Sequence, residues 1–489
     1  MFLMKILSAS TLFTVASLII LYLGYSQNLW KAADYERYYD YNYSFLKKLE
    51  DPFFQNLTDR YPTFDRFSEA LVLGRLVKSR KDGIFSSGGF TGYFYDHPRP
   101  SVNIPSLHYT PAYQYKLYLD DSFDDQLQEY GAFPVKLGLS GEYRSQIGGQ
   151  AFILGILDKI MLGENSFRLR FYYNLMSFLT TLAVFLIIFW FYKEFGIVTG
   201  WLLVVSFALF NYPTLYANNL WYVPWAFYIP FLVILYPLHK EDVSGLKLSS
   251  KLIFILSFCG MFIKIFFNGF EYILPTMIMA VTPIFYYCIK NKWKFTRLIS
   301  YLGAAGAGII LSCVISFMVL SFQFVLAGDS FSDGLLHIYN TFLKRTYGGG
   351  AYTDWRLEVS HQVPLYLVVK WSVLNPPAFD FRNMGINFMM RIKHFLILFF
   401  VTSIMWLLLS RMMKLKENLR KIDALNYTLW LSILAPLSWF VVFKGHSYVH
   451  QQHDPIVWFM PFMFYGIGLV GSTVAQYLKG VITRIEDTF

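Results

Sequence analysis

Ten apolar runs punctuate the 489-residue chain, near 7–25, 168–192, 197–212, 219–238, 252–267, 272–289, 298–326, 392–410, 425–443 and 455–478. A helix crossing a hydrocarbon core of ~30 Å needs about 20 mainly apolar residues. The pattern therefore predicts an all-α polytopic membrane protein with about ten transmembrane helices. Two long segments, 26–167 and 327–391, break it. The predicted order is a first anchor (1–25), an extramembrane segment (26–167), helices two to seven (168–326), a second outer loop (327–391), and helices eight to ten with the C-terminus (392–489).

The first segment reads as mostly helical. In Glu69–Lys81 (EALVLGRLVKSRK) the apolar positions 72, 73, 76 and 77 share a face, with Arg75, Lys78, Arg80 and Lys81 off it, which predicts an amphipathic helix. Ser68 is placed to cap its start and Asp82-Gly83 its end. Gly88-Gly89 and His97-Pro98-Arg99-Pro100 mark loops. No internal repeat or low-complexity tract interrupts the chain.

Charge orients the runs. The short connections on one side carry Lys5, Lys193, Lys240, Lys247, Lys251, Lys290, Lys292, Lys294, Arg297, Arg411, Lys414, Lys416, Arg420, Lys421, Lys479 and Arg484, against Lys444 alone in 213–218, 268–271 and 444–454. That asymmetry predicts cytoplasmic termini and places 26–167 and 327–391 outside. It also accounts for most of the net charge of +10, so no nucleic-acid partner is needed. The first run reads as a retained anchor, because it is long and no small-residue cleavage site follows it.

Composition narrows the class further. Hydrophobic residues make up 55% and charged residues 15%, against roughly 25% charged in a soluble domain. Cys259, Cys288 and Cys313 all lie in apolar runs, which leaves no disulfide framework and no paired-cysteine metal site. There is no phosphate loop, no GxSxG and no HExxH, so an ATP-driven pump and a serine hydrolase lack support.

The outer polar residues carry the remaining signal. An acid, Glu69, opens the helix that ends at Asp82-Gly83; about 60 residues later Tyr143-Arg144-Ser145-Gln146-Ile147-Gly148-Gly149-Gln150 leads through an apolar helix and Gly163 to Arg168 at the second span. This order resembles the GT-C membrane glycosyltransferases, particularly the protein O-mannosyltransferase and lipid A aminoarabinose transferase branch, and also the bacterial O-antigen-modifying glycosyltransferases. The resemblance covers roughly residues 1–210 and implies an integral enzyme, of bacterial inner-membrane type, with its active site on the periplasmic or extracellular side. The implied partners are the lipid bilayer, a polyprenyl-phosphate sugar donor, and a glycan, lipid or protein acceptor. Two departures stand out: Ser68-Glu69 replaces the family's Asp-Glu pair, and Gln146-Ile147-Gly148 stands where prolines are expected.

Such transfer needs a carboxylate to accept the acceptor's proton and cations to stabilise the departing phosphate. Glu69 is the candidate base, with Asp34, Glu36 and Asp40 as rivals by position; the alternative is that Glu69 is a first-turn acid favoured by the helix dipole. Arg75, Lys264, Lys444 and His446 are candidate phosphate ligands. Lys264 and Glu271, seven apart, fit either an ion pair or a phosphate contact. The glycine-rich stretch 344–358, with Arg345, Trp355 and Arg356, fits a substrate loop or a plain connection. His446, His450 and His453 recur at helical spacing, a pattern compatible with a divalent metal. Trp221, Tyr222 and Trp225 read as interfacial anchors. The rival functions are a transporter or flippase of a lipid-linked sugar, marked by Lys264 and Glu271 in a central path, and a noncatalytic envelope-polysaccharide assembly factor.

Overall fold

The computed structural model describes residues 8–33, 64–94, 97–99, 106–108, 111–121, 127–130, 133–136, 140–346, 362–412 and 420–486. Among these residues the fold is nearly all helix, and the strands form isolated two-stranded pairs. Among the described residues, seven helices are long and apolar enough to cross a membrane: Ala9–Gln27, Asn165–Phe195, Ser250–Asn268, Ile273–Lys290, Phe295–Leu326, Ile392–Arg411 and Arg420–Val442. The protein is membrane-embedded. Local signals set the helix starts: Ser8 and Ser249 cap two of them by accepting hydrogen bonds from Thr11 and Leu252 backbone amides. Pro436 lacks the amide that would bond back to Ser432, and the Arg420–Val442 span breaks there into Arg420–Ser432 and Leu434–Val442.

The other three apolar runs are helical but weaker as spans. Ile197–Leu209 has 13 residues and turns at Phe210 into the short helix Asn211–Tyr216. Trp225–Ser244 contains Pro230 and Pro237, and its last turns carry His239, Lys240, Glu241 and Asp242. The last run begins as a tight turn, Asp454–Phe459, before Pro461–Glu486. The most extensive helix pairing joins Ser250–Asn268 to Phe295–Leu326. Gly308 permits it: a side chain there would lie 3.0 Å from the Phe258 amide nitrogen.

Among the described residues the first long segment has more helix than strand, in keeping with the expectation, and adds short strand pairs that the pattern did not predict. Arg66–Asp82, Pro111–Asp120 and Gly149–Ile160 are helices, but Thr91–Phe94 pairs antiparallel with Ser140–Tyr143, and His97–Arg99 with Ser106–His108, and Leu127–Tyr130 with Phe133–Lys136. Strands of three or four residues are too short to show alternation in sequence. The Arg66–Asp82 helix is also enclosed rather than half-exposed. It packs against Pro111–Asp120, Gly149–Ile160 and Thr91–Phe94, and Glu69, Arg75 and Ser79 are buried with its apolar residues. Asp65, not Ser68, caps its start; Gly83, at φ +96°, ends it as expected.

The basic connections meet at one end of the bundle. Lys290 reaches Glu194 (2.5 Å) and Asp242 (2.7 Å), Lys421 donates to the Glu194 carbonyl (2.7 Å), Arg297 pairs with Glu241, and Lys193 donates to Ser10 (3.4 Å). Glu69 and the residues around Glu271 lie at the opposite ends of these helices: Tyr173 and Lys193 are 20 residues apart on one helix, about 30 Å at 1.5 Å per residue.

Candidate functional site

At that opposite end the helix Arg66–Asp82 is tied to the bundle through its first turn. Glu69 is fully buried. Its Oε2 accepts hydrogen bonds from the hydroxyls of Tyr115 (2.5 Å) and Tyr173 (3.0 Å), and its Oε1 from the Leu220 amide (2.9 Å). Burial pushes its pKa up, against the pull of these donors and of Arg66.

Leu220 belongs to a connection that folds back on itself. Asn219 accepts from the amides of Trp221 (2.8 Å) and Tyr222 (2.9 Å) and donates to the Phe64 carbonyl, while Asn268 donates to the Tyr222 carbonyl. Val223 sits at φ +42°, a left-handed conformation that costs a β-branched residue on the order of 1–3 kcal/mol and persists only where neighbours enforce it. The product is a fixed Tyr222 hydroxyl, 3.0 Å from Asp65 Oδ2 and 2.5 Å from His453 Nδ1. Asp65 and His453 are themselves 3.6 Å apart, with side chains 7% and 6% exposed. Tyr222 and Trp221 are thus buried site residues rather than interfacial anchors: the connection they occupy is packed inside the protein.

A second carboxylate centre adjoins the first. Glu271 pairs with Arg345 (2.7 Å), which also donates to the Tyr143 hydroxyl (3.2 Å). Burial works against the Arg345 charge, but Glu271 and Tyr143 outweigh it and raise its pKa. His446 lies between two acids, with Nε2 3.8 Å from Glu271 and Nδ1 3.9 Å from Asp454. The Ser447 hydroxyl and the Trp439 indole nitrogen face the buried Asp454 carboxylate and act on it as donors. Burial pushes the Asp454 pKa up to about 7 and that of His446 well below its usual value. Tyr216 joins the centres: its hydroxyl donates to the His453 carbonyl (2.8 Å) and lies 3.2 Å from that of Tyr272.

Several residues singled out in the sequence meet here. Arg345 and His446 share Glu271. Lys264, fully buried, donates to the carbonyls of Gly269 (2.9 Å) and Glu271, so it holds the backbone of that turn while Arg345 takes the carboxylate. Lys444 donates to the Val363 carbonyl (3.0 Å) at the edge of the cluster. Arg75 is elsewhere: it donates to the carbonyls of Ile84 and Ser86 and fastens the loop after its own helix. Asp34, Glu36, Asp40, Trp355 and Arg356 lie outside the described residues.

The three histidines form a row, with ring centroids 4.5 Å apart for His446 and His450 and 5.5 Å for His450 and His453. Their outer members turn to different acids, His446 to Glu271 and Asp454, His453 to Asp65. Among the described residues the one histidine–carboxylate group whose ligand atoms all converge within 4.8 Å is Glu194, His239 and Asp242, at the basic end. The Lys290 ammonium bridges its two acids.

Sequence reading missed Asp65 and the polar role of Tyr222. Asp65 was legible in part, because it lies one helical turn before Glu69 and so shares its face. Nothing local pointed to Tyr222. No family model, curated protein or solved structure matches the chain.

Proposed function

We propose that the chain is a GT-C-like integral-membrane glycosyltransferase that moves a sugar from a polyprenyl-phosphate donor to a glycan, lipid or protein acceptor. In this reading all ten apolar runs are embedded, both termini are cytoplasmic, and chemistry takes place on the extracytoplasmic side of what would be a bacterial inner membrane. The supporting observation is the buried cluster of Asp65, Glu271 and Asp454 with three imidazoles and Arg345, at the end of the bundle away from the basic connections.

The roles follow from the contacts. Both carboxylates are donor-rich, Asp65 accepting from the Ser68 amide and the Tyr222 hydroxyl, but Asp65 is the better base because it is slightly exposed and faces an imidazole that can relay a proton, whereas Glu69 is fully enclosed by its three donors. Asp65 takes the proton of the acceptor hydroxyl as that oxygen attacks the anomeric carbon, and the bond to phosphate breaks. Arg345 is the cation for the departing polyprenyl phosphate. A single displacement by one base inverts the anomeric centre; a double displacement needs a second carboxylate ~5 Å away as nucleophile. Glu69 positions the Tyr222 connection. A shallow apolar face of the helix Leu365–Leu374, formed by Leu365, Tyr366, Val369, Val373 and Leu374 beside Lys370, has the apolar character an isoprenoid tail requires.

The test is reconstitution into proteoliposomes with polyprenyl phosphates carrying radiolabelled hexoses or pentoses. Wild type should release polyprenyl phosphate, and Asp65→Asn should slow release by roughly 10²–10⁴-fold. Equilibration of intact donor across the bilayer without release would establish a transporter instead.

A further inference from the structure

The helix Phe331–Arg345 has three distinct stripes. Gly334, His337, Ile338, Thr341 and Arg345 turn toward the protein. Asp333, Asn340 and Lys344 form an exposed polar stripe. Between them runs an exposed apolar stripe, Leu335 (46%), Leu336 (56%), Tyr339 (58%) and Phe342 (51%). In water such a stripe is unfavourable, and a helix with one polar and one apolar exposed face suits a membrane surface.

Its ends fix its attitude. The helix starts just after the span Phe295–Leu326 and touches one turn of it: Phe331 packs on Phe322 (5.2 Å between ring centroids) and His337 on Phe324 (5.3 Å). A side chain on Gly334 would meet Ser321 Cα at 2.6 Å. Fifteen residues on, the chain reaches the end of another span, where Gly445 donates to the Thr346 carbonyl (3.2 Å) and Phe443 packs on Phe342 (6.1 Å). The helix therefore bridges the like ends of two spans instead of running alongside either. A ribbon of exposed apolar residues on the first span, Leu311, Val314, Met318, Phe322 and Val325, leads to its apolar stripe. The same lipid that covers that ribbon reaches the stripe.

We infer that Phe331–Arg345 is a membrane-interface helix, lying in the plane of the bilayer with Leu335, Leu336, Tyr339 and Phe342 among the outer acyl chains and Asp333, Asn340 and Lys344 in water. Its seating holds Arg345, on the protein-facing stripe, against Glu271 at headgroup level. The Arg144–Asp329 ion pair (2.6 Å) and the Ser330–Asp333 capping box anchor its start. The inference depends on membrane embedding and not on the transfer reaction.

Single cysteines at 336, 339, 342, 340 and 344, in a background with Cys259, Cys288 and Cys313 replaced by alanine, can carry nitroxides in lipid nanodiscs. Collisions with oxygen should dominate over those with a water-soluble nickel chelate at 336, 339 and 342, and the reverse should hold at 340 and 344. Nickel-dominated signals at all five positions would overturn the inference, and so would protection from both reagents at 336, 339 and 342, which would mean a protein partner. If the altered background does not fold, photolysis of a lipid-borne diazirine on unmodified protein gives the same decision. Modification at Leu336, Tyr339 and Phe342 supports the inference; its absence from that peptide, with modification of Phe322 and Val325, refutes it.

Discussion

Glu69→Ala is the most discriminating perturbation of the buried cluster. The substitution removes the acceptor for three buried donors: the hydroxyls of Tyr115 and Tyr173 and the Leu220 amide. The two hydroxyls lie 2.8 Å apart and can still pair with each other, which leaves one hydroxyl and the Leu220 amide; at about 1–3 kcal/mol for each unsatisfied buried donor the loss is roughly 2–6 kcal/mol, offset in part if water enters the space. Glu69→Gln keeps the volume and an acceptor oxygen but turns an N–H toward one donor, for a loss of about 1–3 kcal/mol. Thermal unfolding in nanodiscs should place the alanine variant about 5–10 °C below wild type and the glutamine variant between them. The pH dependence carries a sign. Because burial raises the Glu69 pKa, the folded protein holds that proton more tightly than the unfolded chain does. Its contribution is full below the unfolded carboxyl value of about 4.3 and declines as pH rises toward the raised folded pKa. Glu69→Gln should flatten that slope. An alanine variant as stable as wild type would refute the role of Glu69 as the acceptor that holds Tyr115, Tyr173 and the Leu220 amide. A glutamine variant that is fully stable yet loses 10²-fold or more in transfer, beside a fully active Asp65→Asn, would return the base to Glu69.

Four further outcomes are expected. Arg345→Met leaves Glu271 buried without its guanidinium and should cost about 3–5 kcal/mol, with Glu271→Gln in the same chain restoring part of it; additive losses in a double-mutant cycle would contradict a coupled pair. Gly334→Leu forces the interface helix from Ser321 and should lower the unfolding temperature by several degrees, whereas Gly83→Ala, where no atom lies within 4 Å of an added side chain, meets only the strain of its positive φ and should cost about 1 kcal/mol. Impermeant thiol labelling of intact cells should modify a cysteine introduced at 328 and spare one at 292; the reverse pattern would invert the topology. Chelation should leave the unfolding temperature unchanged, because His446 and His453 turn to different acids. A loss of several degrees that zinc restores would show that the histidines rearrange around a metal.

Much of the architecture was written in one-dimensional patterns. The helices at 9–27, 165–195 and 295–326 followed from apolar length alone, because lipid demands a long apolar helix wherever the backbone crosses it. The basic bias separated Lys290 and Lys421 from the polar residues of the two long segments, and Lys290 meets Glu194 and Asp242 while Lys421 donates to the Glu194 carbonyl. Other features depend on contacts remote in sequence. Glu69 reads as a first-turn acid or a base until Tyr115, Tyr173 and Leu220 close around it from 46, 104 and 151 residues away. Tyr222 looked like a membrane anchor because an aromatic beside an apolar run usually is one; only the folded connection turns its hydroxyl onto Asp65 and His453. The histidine rings do neighbour one another, but through a turn and not through helical spacing, because the helix ends at Val449 and His450 and His453 follow it. Which acid each imidazole meets was decided by Asp65, Glu271 and Asp454, brought in by separate elements. Periodicity encodes which face of a segment is buried, whereas the partner across that face is chosen by packing among segments hundreds of residues apart.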